Sequence, residues 1–153
     1  MPNADTQVRI RPATAADVEA IVRIERATFS KPWSSRSFQD MLRAPAAIVL
    51  VALLEEPVVQ GYAAAYVAAD VAELANIAVG QSVRGFGLGR ALLAEVIRQV
   101  LGRGAGTLFL DVRASNVVAR GLYESESFRE VARRRDYYSQ PVEDAIVMRR
   151  DLP

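Results

Sequence analysis

The segment Asn76–Arg90 narrows the folds open to this 153-residue chain more than any other stretch. Asn76-Ile77-Ala78-Val79 is an apolar run suited to a strand, Gly80 to Gly89 is rich in glycine, and an amphipathic run continues to Gly102. In that run Leu88, Leu92, Val96 and Val100 recur every four residues beside Leu93, Ile97 and Leu101, which predicts a helix with a broad apolar face. A strand, a glycine turn and a long helix present unpaired backbone N–H groups and the positive end of a helix dipole to an anion, most naturally a phosphate. Gly85, Gly87 and Gly89 let the backbone approach closely, and Arg84 and Arg90 add charge beside it. The loop is not a P-loop, because Arg90-Ala91 stands where Lys-Ser or Lys-Thr is needed. Its Gly-x-Gly-x-Gly spacing also departs from the dinucleotide fingerprint, and it follows the fourth predicted strand rather than the first. A glycine turn that merely joins strand to helix is the alternative.

The rest of the chain predicts a single domain of about residues 8–150, with no repeat or linker dividing residues 1–153. Val8–Arg11 opens as a strand. Thr14 with Asp17 caps a helix ending near Phe29, and Ser34 or Ser35 caps a second through Arg43. Ala47–Leu54 and Val58–Ala68 form a hairpin around Glu55-Glu56-Pro57, and Val71–Val79 is the next strand. After the long helix, Thr107–Val112 lacks alternation and is expected to be a strand buried on both faces. A short helix at Asn116–Glu124 and strands at Arg129–Tyr137 and Asp144–Arg150 complete an α+β order with an antiparallel first half.

Two absences restrict the chemistry. With no Cys and no His there is no thiolate, no imidazole base and no His- or Cys-ligated metal, so catalysis must use carboxylates, Tyr, Ser, amides or water. A formal charge of +1 gives no overall field toward nucleic acid or anionic lipid. The opening MPNADTQVRI lacks a charged leader followed by an apolar core, and no apolar run reaches the ~20 residues of a membrane span. A cytoplasmic location is expected.

Arg84-Gly85-Phe86-Gly87-Leu88-Gly89 resembles the acetyl-coenzyme A pyrophosphate loop of the GNAT acetyltransferase superfamily. Glu73–Val79 is similar to that family's fourth strand. Pro32-Trp33-Ser34, Leu110–Asn116, Leu122–Ser125, Arg134–Tyr138 and Asp144–Met148 closely match its branch of bacterial ribosomal-protein alanine N-acetyltransferases. The likeness runs from about Val8 to Arg150. It implies the GNAT fold, a mixed sheet of about seven strands with four helices, splayed between the fourth and fifth strands. It also implies acetyl-CoA as cosubstrate without a metal, and acetyl transfer to the α-amine of a polypeptide, an N-terminal Ala of a small-subunit ribosomal protein. Nucleic acid and membrane are not expected as partners, and the chain is expected as a monomer or weak dimer. A GNAT acting on a small-molecule amine or on lysines, or a non-catalytic acyl-CoA-binding domain, are the alternatives.

The same resemblance assigns residues. Backbone groups of Ile77, Ala78 and Val79 would pair with the acetyl and pantetheine arm, and Arg84, Gly85, Phe86, Gly87, Leu88, Gly89 and Arg90 would hold the pyrophosphate. Asn116 matches a coenzyme-contacting asparagine, its alternative being a plain helix N-cap. Tyr123 matches the general acid: a phenol of pKa ~10 stays protonated at neutral pH and can donate to a thiolate whose acid has pKa ~8.5. A backbone N–H near Val79 would meet the oxyanion. Asp111 stands where the family has a Glu proton acceptor. Its side chain is one methylene shorter, so a bridging water would carry the proton. That weaker base suits an α-amine: at pKa ~7.8, roughly a quarter is neutral near pH 7.4, against about 0.1% for lysine. Trp33 in one loop and Tyr137 and Tyr138 in another would wall the peptide groove, with Glu73 and Glu25 as second-choice bases or ammonium anchors. Arg133-Arg134-Arg135 could steer a peptide or simply be a solvated strand face. Ser127 replaces the family's usual Gly at the left-handed position ending the short helix, at a cost on the order of 1 kcal/mol.

Overall fold

A computed structural model describes residues 7–153; residues 1–6, which belong to the stretch expected to carry no leader, lie outside the described residues. The order is β1 (Arg9–Pro12), α1 (Val18–Thr28), α2 (Ser35–Arg43), β2 (Ala47–Glu55), β3 (Val58–Ala68), β4 (Val71–Val79), α3 (Leu88–Gly102), β5 (Thr107–Arg113), α4 (Val117–Ser125), β6 (Arg129–Tyr138) and β7 (Glu143–Asp151). The Thr14 capping box forms, with Asp17 accepting from the Thr14 N–H at 2.8 Å, but it opens a 3₁₀ turn and the α-helix starts at Val18. Arg11 grips Asp17 through two bonds of 2.7 and 3.0 Å and holds that carboxyl below its ordinary pKa.

One seven-stranded sheet runs in the order β1-β2-β3-β4-β5-β7-β6, antiparallel throughout except for β4 against β5. Helices α1 and α2 seal one face over β2 and β3 with Ile21, Phe38, Val51 and Tyr62. On the other face α3 and α4 pack Leu92, Leu93, Val96 and Tyr123 against Leu108, Leu110 and Ile146. Each fully buried leucine in that set contributes roughly 1.5–3 kcal/mol over an exposed one. Ala63, Ala64 and Ala65 of β3 are fully buried, and their small size lets helices lie close on both sides of the strand.

The parallel ladder is short. Val71–Leu74 pair with Thr107–Leu110, and there it stops. Ala64 pairs with Asn76 and Ala65 with Leu74, so Ala75 is an extra residue in β4. Such a bulge bends its strand. Beyond it Asn76–Val79 keep only β3 as neighbour, and Asp111–Arg113 keep only β7, leaving a V-shaped gap between two strands of one sheet.

Strand β5 departs from the expectation of burial on both faces: Leu108, Leu110 and Val112 are buried while Thr107, Phe109, Asp111 and Arg113 are only half-buried. The helices over this half of the sheet lie on one face alone. Phe109, the residue that made the run look uniformly apolar, is covered by the Arg149 guanidinium 5.5 Å from its ring centre rather than by a helix.

Helix α4 ends as expected at Ser127, with φ +68°. The Phe128 N–H bonds to the Tyr123 carbonyl at 3.0 Å and the Ser127 N–H to the Glu124 carbonyl at 3.1 Å, and the Phe128 ring packs edge-on against Tyr123. This is a Schellman closure with its hydrophobic contact. Glycine carries no Cβ penalty there, so Ser127→Gly is expected to stabilise the fold by about 0.5–1 kcal/mol, a Tm rise of a few degrees. A lower Tm in calorimetry would show that the Ser127 side chain makes good the backbone strain.

Candidate active site

The lips of the gap carry most of the predicted residues. Along Asn76–Val79, antiparallel pairing with β3 uses the N–H and C=O of every second residue, and the others point into the gap. The Gly80 N–H bonds to the Gln60 carbonyl, so Ala78 pairs with Tyr62 while the backbone of Ile77 and the N–H of Val79 face the gap. Beyond them Gly85 and Gly87 adopt φ +86° and +84°, and a Cβ built on either would meet nothing within 4 Å. The loop thus has an open outer side and a backbone that glycine alone adopts freely. Gly87 begins α3 without a side-chain cap, and the first helical bond runs from Ala91 N–H to the Gly87 carbonyl at 3.0 Å. The N–H groups of Leu88, Gly89 and Arg90 have no helical acceptor, a donor set that fits a diphosphate. Leu88 anchors the helix start in the core at 1% exposure, whereas Phe86 lies on the surface.

The two loop arginines differ. Arg84 Nε donates to the Val79 carbonyl at 3.3 Å and stays with the loop. Arg90 turns to the end of α4, meeting Ser125 Oγ at 3.1 Å and the Glu126 carboxylate, so its charge is already matched. Asn116 is the N-cap of α4, its Oδ1 accepting from the Ala119 N–H at 3.2 Å. The amide NH₂ is thereby turned outward.

Tyr123 is buried at 5% exposure, and among the described residues its hydroxyl has no hydrogen-bond partner. Since no fully buried side-chain polar atom there is left unpaired, the tip of the phenol is open while its ring is sealed. Burial first, then the neighbouring Tyr138, raises its pKa well above 10. Asp111 is the first β5 residue past the ladder, on the face of Phe109 and Arg113. Arg134 reaches over from β6 and places Nε 3.5 Å from Asp111 Oδ1. Tyr138 is pushed up to about 12, by burial and then by the Asp111 charge, with Tyr137 and Glu143 adding and Arg113 opposing. Tyr138 therefore lies within electrostatic reach of Asp111 on one side and of Tyr123 on the other.

Two loops flank it. Trp33, half-buried, tilts its ring against Phe38 at 5.6 Å, and its backbone N–H donates to Glu25 Oε2 at 3.0 Å. Glu25, 1% exposed, also accepts from the Tyr62 hydroxyl and from Asn76 Nδ2 at 2.9 Å. It is a tie inside the fold, with no lone pair turned to the groove. Tyr137, 54% exposed, meets Tyr138 edge-on at 5.1 Å and lies under Arg134. Glu73 is exposed but sits opposite Phe109, inside the ladder and below the gap. Sequence reasoning offers Arg134 only as part of the Arg133-Arg134-Arg135 run and assigns Arg113 nothing; the signal that points to Arg113 is its place two residues after Asp111, on the same strand face.

Among the described residues no group of three His, Cys, Asp or Glu side chains could hold a metal, and no helix is long and apolar enough to cross a membrane. The arrangement is a gap with free strand amides on one lip, an uncapped helix start at its mouth, a protonated phenol from α4 and a carboxylate from β5.

Known proteins match these features. The profile of the Acetyltransferase (GNAT) family matches residues 18–128. The [Ribosomal protein bS18]-alanine N-acetyltransferase of Escherichia coli (strain K12) is 39% identical over 134 residues, which is 86% of this chain and 89% of that one. Its counterpart of the same name in Salmonella typhimurium is 38% identical over 137 residues, 88% and 91% of the two chains. The crystal structure of the ribosomal-protein-S18-alanine N-acetyltransferase from Escherichia coli superimposes with a TM-score of 0.86 at 35% identity, over 95% of this chain and 94% of that one. The match spans the bulged β4, the glycine loop, α3 and the Schellman-closed α4, and the family's enzymes use acetyl-CoA: the chain belongs to the GNAT acetyltransferase family.

Proposed function

We infer that residues 1–153 form a single domain that moves the acetyl group of acetyl-CoA to the α-amine of a polypeptide N-terminus. The acceptor is an alanine of a small-subunit ribosomal protein, the class named in its relatives. The observation that carries this reading is Asp111 at the gap, flanked by the loop that carries Trp33 and by the end of β6 that carries Tyr137 and Tyr138. Such a groove suits an extended chain end. The enzyme works in the cytoplasm as a monomer or weak dimer, without nucleic acid or metal.

When bound, the coenzyme supplies a thioester carbonyl activated for attack. The uncapped amides after Gly87, with Arg84, hold its diphosphate, and Asn116 NH₂ adds a donor. The gap-facing backbone of Ile77 and the N–H of Val79, on the stretch Ile77, Ala78 and Val79, would align the arm and offer a donor to the carbonyl oxygen. Asp111 accepts the proton lost by the attacking amine through one water, Arg134 steadying the short carboxylate. Tyr123 hands its proton to the departing sulfur and is reprotonated from solvent through its open tip.

The decisive assay compares an N-terminal Ala peptide, an N-blocked lysine peptide and a polyamine as acceptors. Transfer to the Ala peptide is expected to exceed the others by about 10²-fold in kcat/KM, following the neutral-amine fractions. Preference for either of the others would sink the acceptor assignment. A pH profile adds a second check. Activity rises as the amine loses its proton near pH ~7.8, and the acid must stay protonated. Because burial raises the pKa of Tyr123 and Tyr138, kcat/KM is expected to show no alkaline decline up to pH ~10. A fall beginning near pH 8–9 would exclude both phenols as the acid.

A further inference from the structure

Arg113 ends β5 on the sheet face that no helix covers, and its guanidinium is where several chain segments meet. Nη1 donates to the Pro141 carbonyl at 3.0 Å and to Glu143 Oε1 at 3.3 Å. Nη2 donates to the Ser139 carbonyl at 3.2 Å and to Ser30 Oγ at 3.3 Å. The ring of Tyr138 lies 4.5 Å from the guanidinium carbon. Ser30 itself donates to the Ser139 carbonyl at 3.4 Å. The second oxygen of Glu143 accepts the Ser115 N–H at 2.5 Å, one residue before Asn116 caps α4.

Ser30 belongs to the loop between α1 and α2 that carries Trp33, and Ser139 and Pro141 to the loop between β6 and β7 that follows Tyr137 and Tyr138. Among the described residues, the bonds through Arg113 and Ser30 are the hydrogen bonds joining these two loops. We propose that Arg113 is a positioning residue that fixes the width of the acceptor groove, holding its two aromatic-bearing walls to the end of β5. It touches no reacting atom. The proposal rests on the acceptor reading above, and it extends that reading to what sets the groove's shape.

The residue type matters. A planar fork can place four donor bonds on two carbonyls, a carboxylate and a hydroxyl while its flat face covers a ring; an ammonium satisfies only part of that set. With three-quarters of the side chain covered, the pairs are shielded from solvent exchange. Loss of the fork frees both loops together and leaves the opposite lip, with its glycine loop, untouched.

The test is Arg113→Lys, with Ser30→Ala as the milder variant. In steady-state kinetics the acceptor-peptide KM of Arg113→Lys is expected to rise by ~10-fold or more. Its acetyl-CoA KM should stay within ~2-fold and kcat within ~3-fold of the parent. Ser30→Ala should raise acceptor KM by ~2–3-fold. Amide hydrogen exchange in the lysine variant should quicken in both 29–33 and 138–143 while α3 keeps its protection. Unchanged exchange in either loop, an unchanged acceptor KM, or an acetyl-CoA KM that rises as far as the acceptor's would each overturn the proposal. Should the parent protein refuse the N-terminal peptide, the acceptor assignment fails, and the exchange pattern alone then decides the role of Arg113.

Discussion

Tyr123→Phe is expected to lower kcat by about 10²-fold or more while acetyl-CoA binding stays within a factor of ~2, because the change removes one proton donor and nothing else. The ring of Tyr123 is packed in the core against Phe128, and its backbone carbonyl closes the Schellman turn, so Phe preserves every packing and backbone contact. The hydroxyl makes no bond to another described residue, and its loss leaves no orphaned partner. A large fall in rate with an unchanged Tm would therefore report chemistry. The raised pKa sets two conditions: burial keeps the proton on the phenol throughout the working range, and because that phenol is a weaker acid than a thiol of pKa ~8.5 the transfer runs uphill and is carried forward by reprotonation of the phenolate from solvent. Steady-state rates beside a coenzyme titration and a melting curve decide the matter. Turnover within a factor of ~3 of the parent would remove Tyr123 from the mechanism and throw the acid role onto water or Tyr138.

Local sequence carried the fold because its elements are bounded by local signals. Ser34 caps α2 through the Ser37 N–H, Glu55-Glu56-Pro57 turns the hairpin, and the i+4 repeat from Leu88 to Val100 delimits α3. The glycine loop was legible for the same reason: left-handed Gly85 and Gly87 and an uncapped helix start are properties of neighbouring residues. The splay was different. It depends on Ala75 being an extra residue between two pairings, and nothing about an alanine in an apolar run announces a bulge. The charged partners of the site were hidden too. Arg134 lay in a run of three arginines that read equally well as a solvated face, and only the turn from β6 to β7 brings it over Asp111. Arg113 stood beside a motif that drew the eye to Asp111 and Asn116, while its partners lie 28 and 83 residues away in the chain. Such pairings are set by tertiary register, which periodicity does not encode.

Glu25 was the residue whose role sequence reasoning placed least well, and removing it is expected to cost the most stability. A carboxylate at 1% exposure is retained in a core only where its lone pairs are used. Here Oε1 accepts from the fully buried Tyr62 hydroxyl and from Asn76 Nδ2 at 2.9 Å, and Oε2 from the Trp33 N–H at 3.0 Å and from Asn76 Nδ2 at 3.1 Å. Those donors come from β3, β4 and the loop after α1, and no neutral side chain of that length has two acceptor oxygens to serve them. Burial and the bond to Glu25 raise the pKa of Tyr62, so it remains a donor at any pH of interest. Glu25→Ala strands the buried Tyr62 hydroxyl and releases the half-buried Asn76 and Trp33 donors while opening a cavity. The expected loss is about 3–5 kcal/mol, a Tm lower by on the order of 10 °C. Glu25→Gln keeps the volume and one acceptor but turns an NH₂ toward donors, for a smaller loss of roughly 1–2 kcal/mol. Because the Trp33 N–H is among the released groups, the surviving Gln enzyme should also show a raised acceptor KM, with acetyl-CoA KM unchanged. Chemical denaturation of the three proteins orders them. An alanine variant within about 1 kcal/mol of the parent would mean that water enters and serves the three donors, and that the tie between α1 and the bulged strand carries little of the fold's stability.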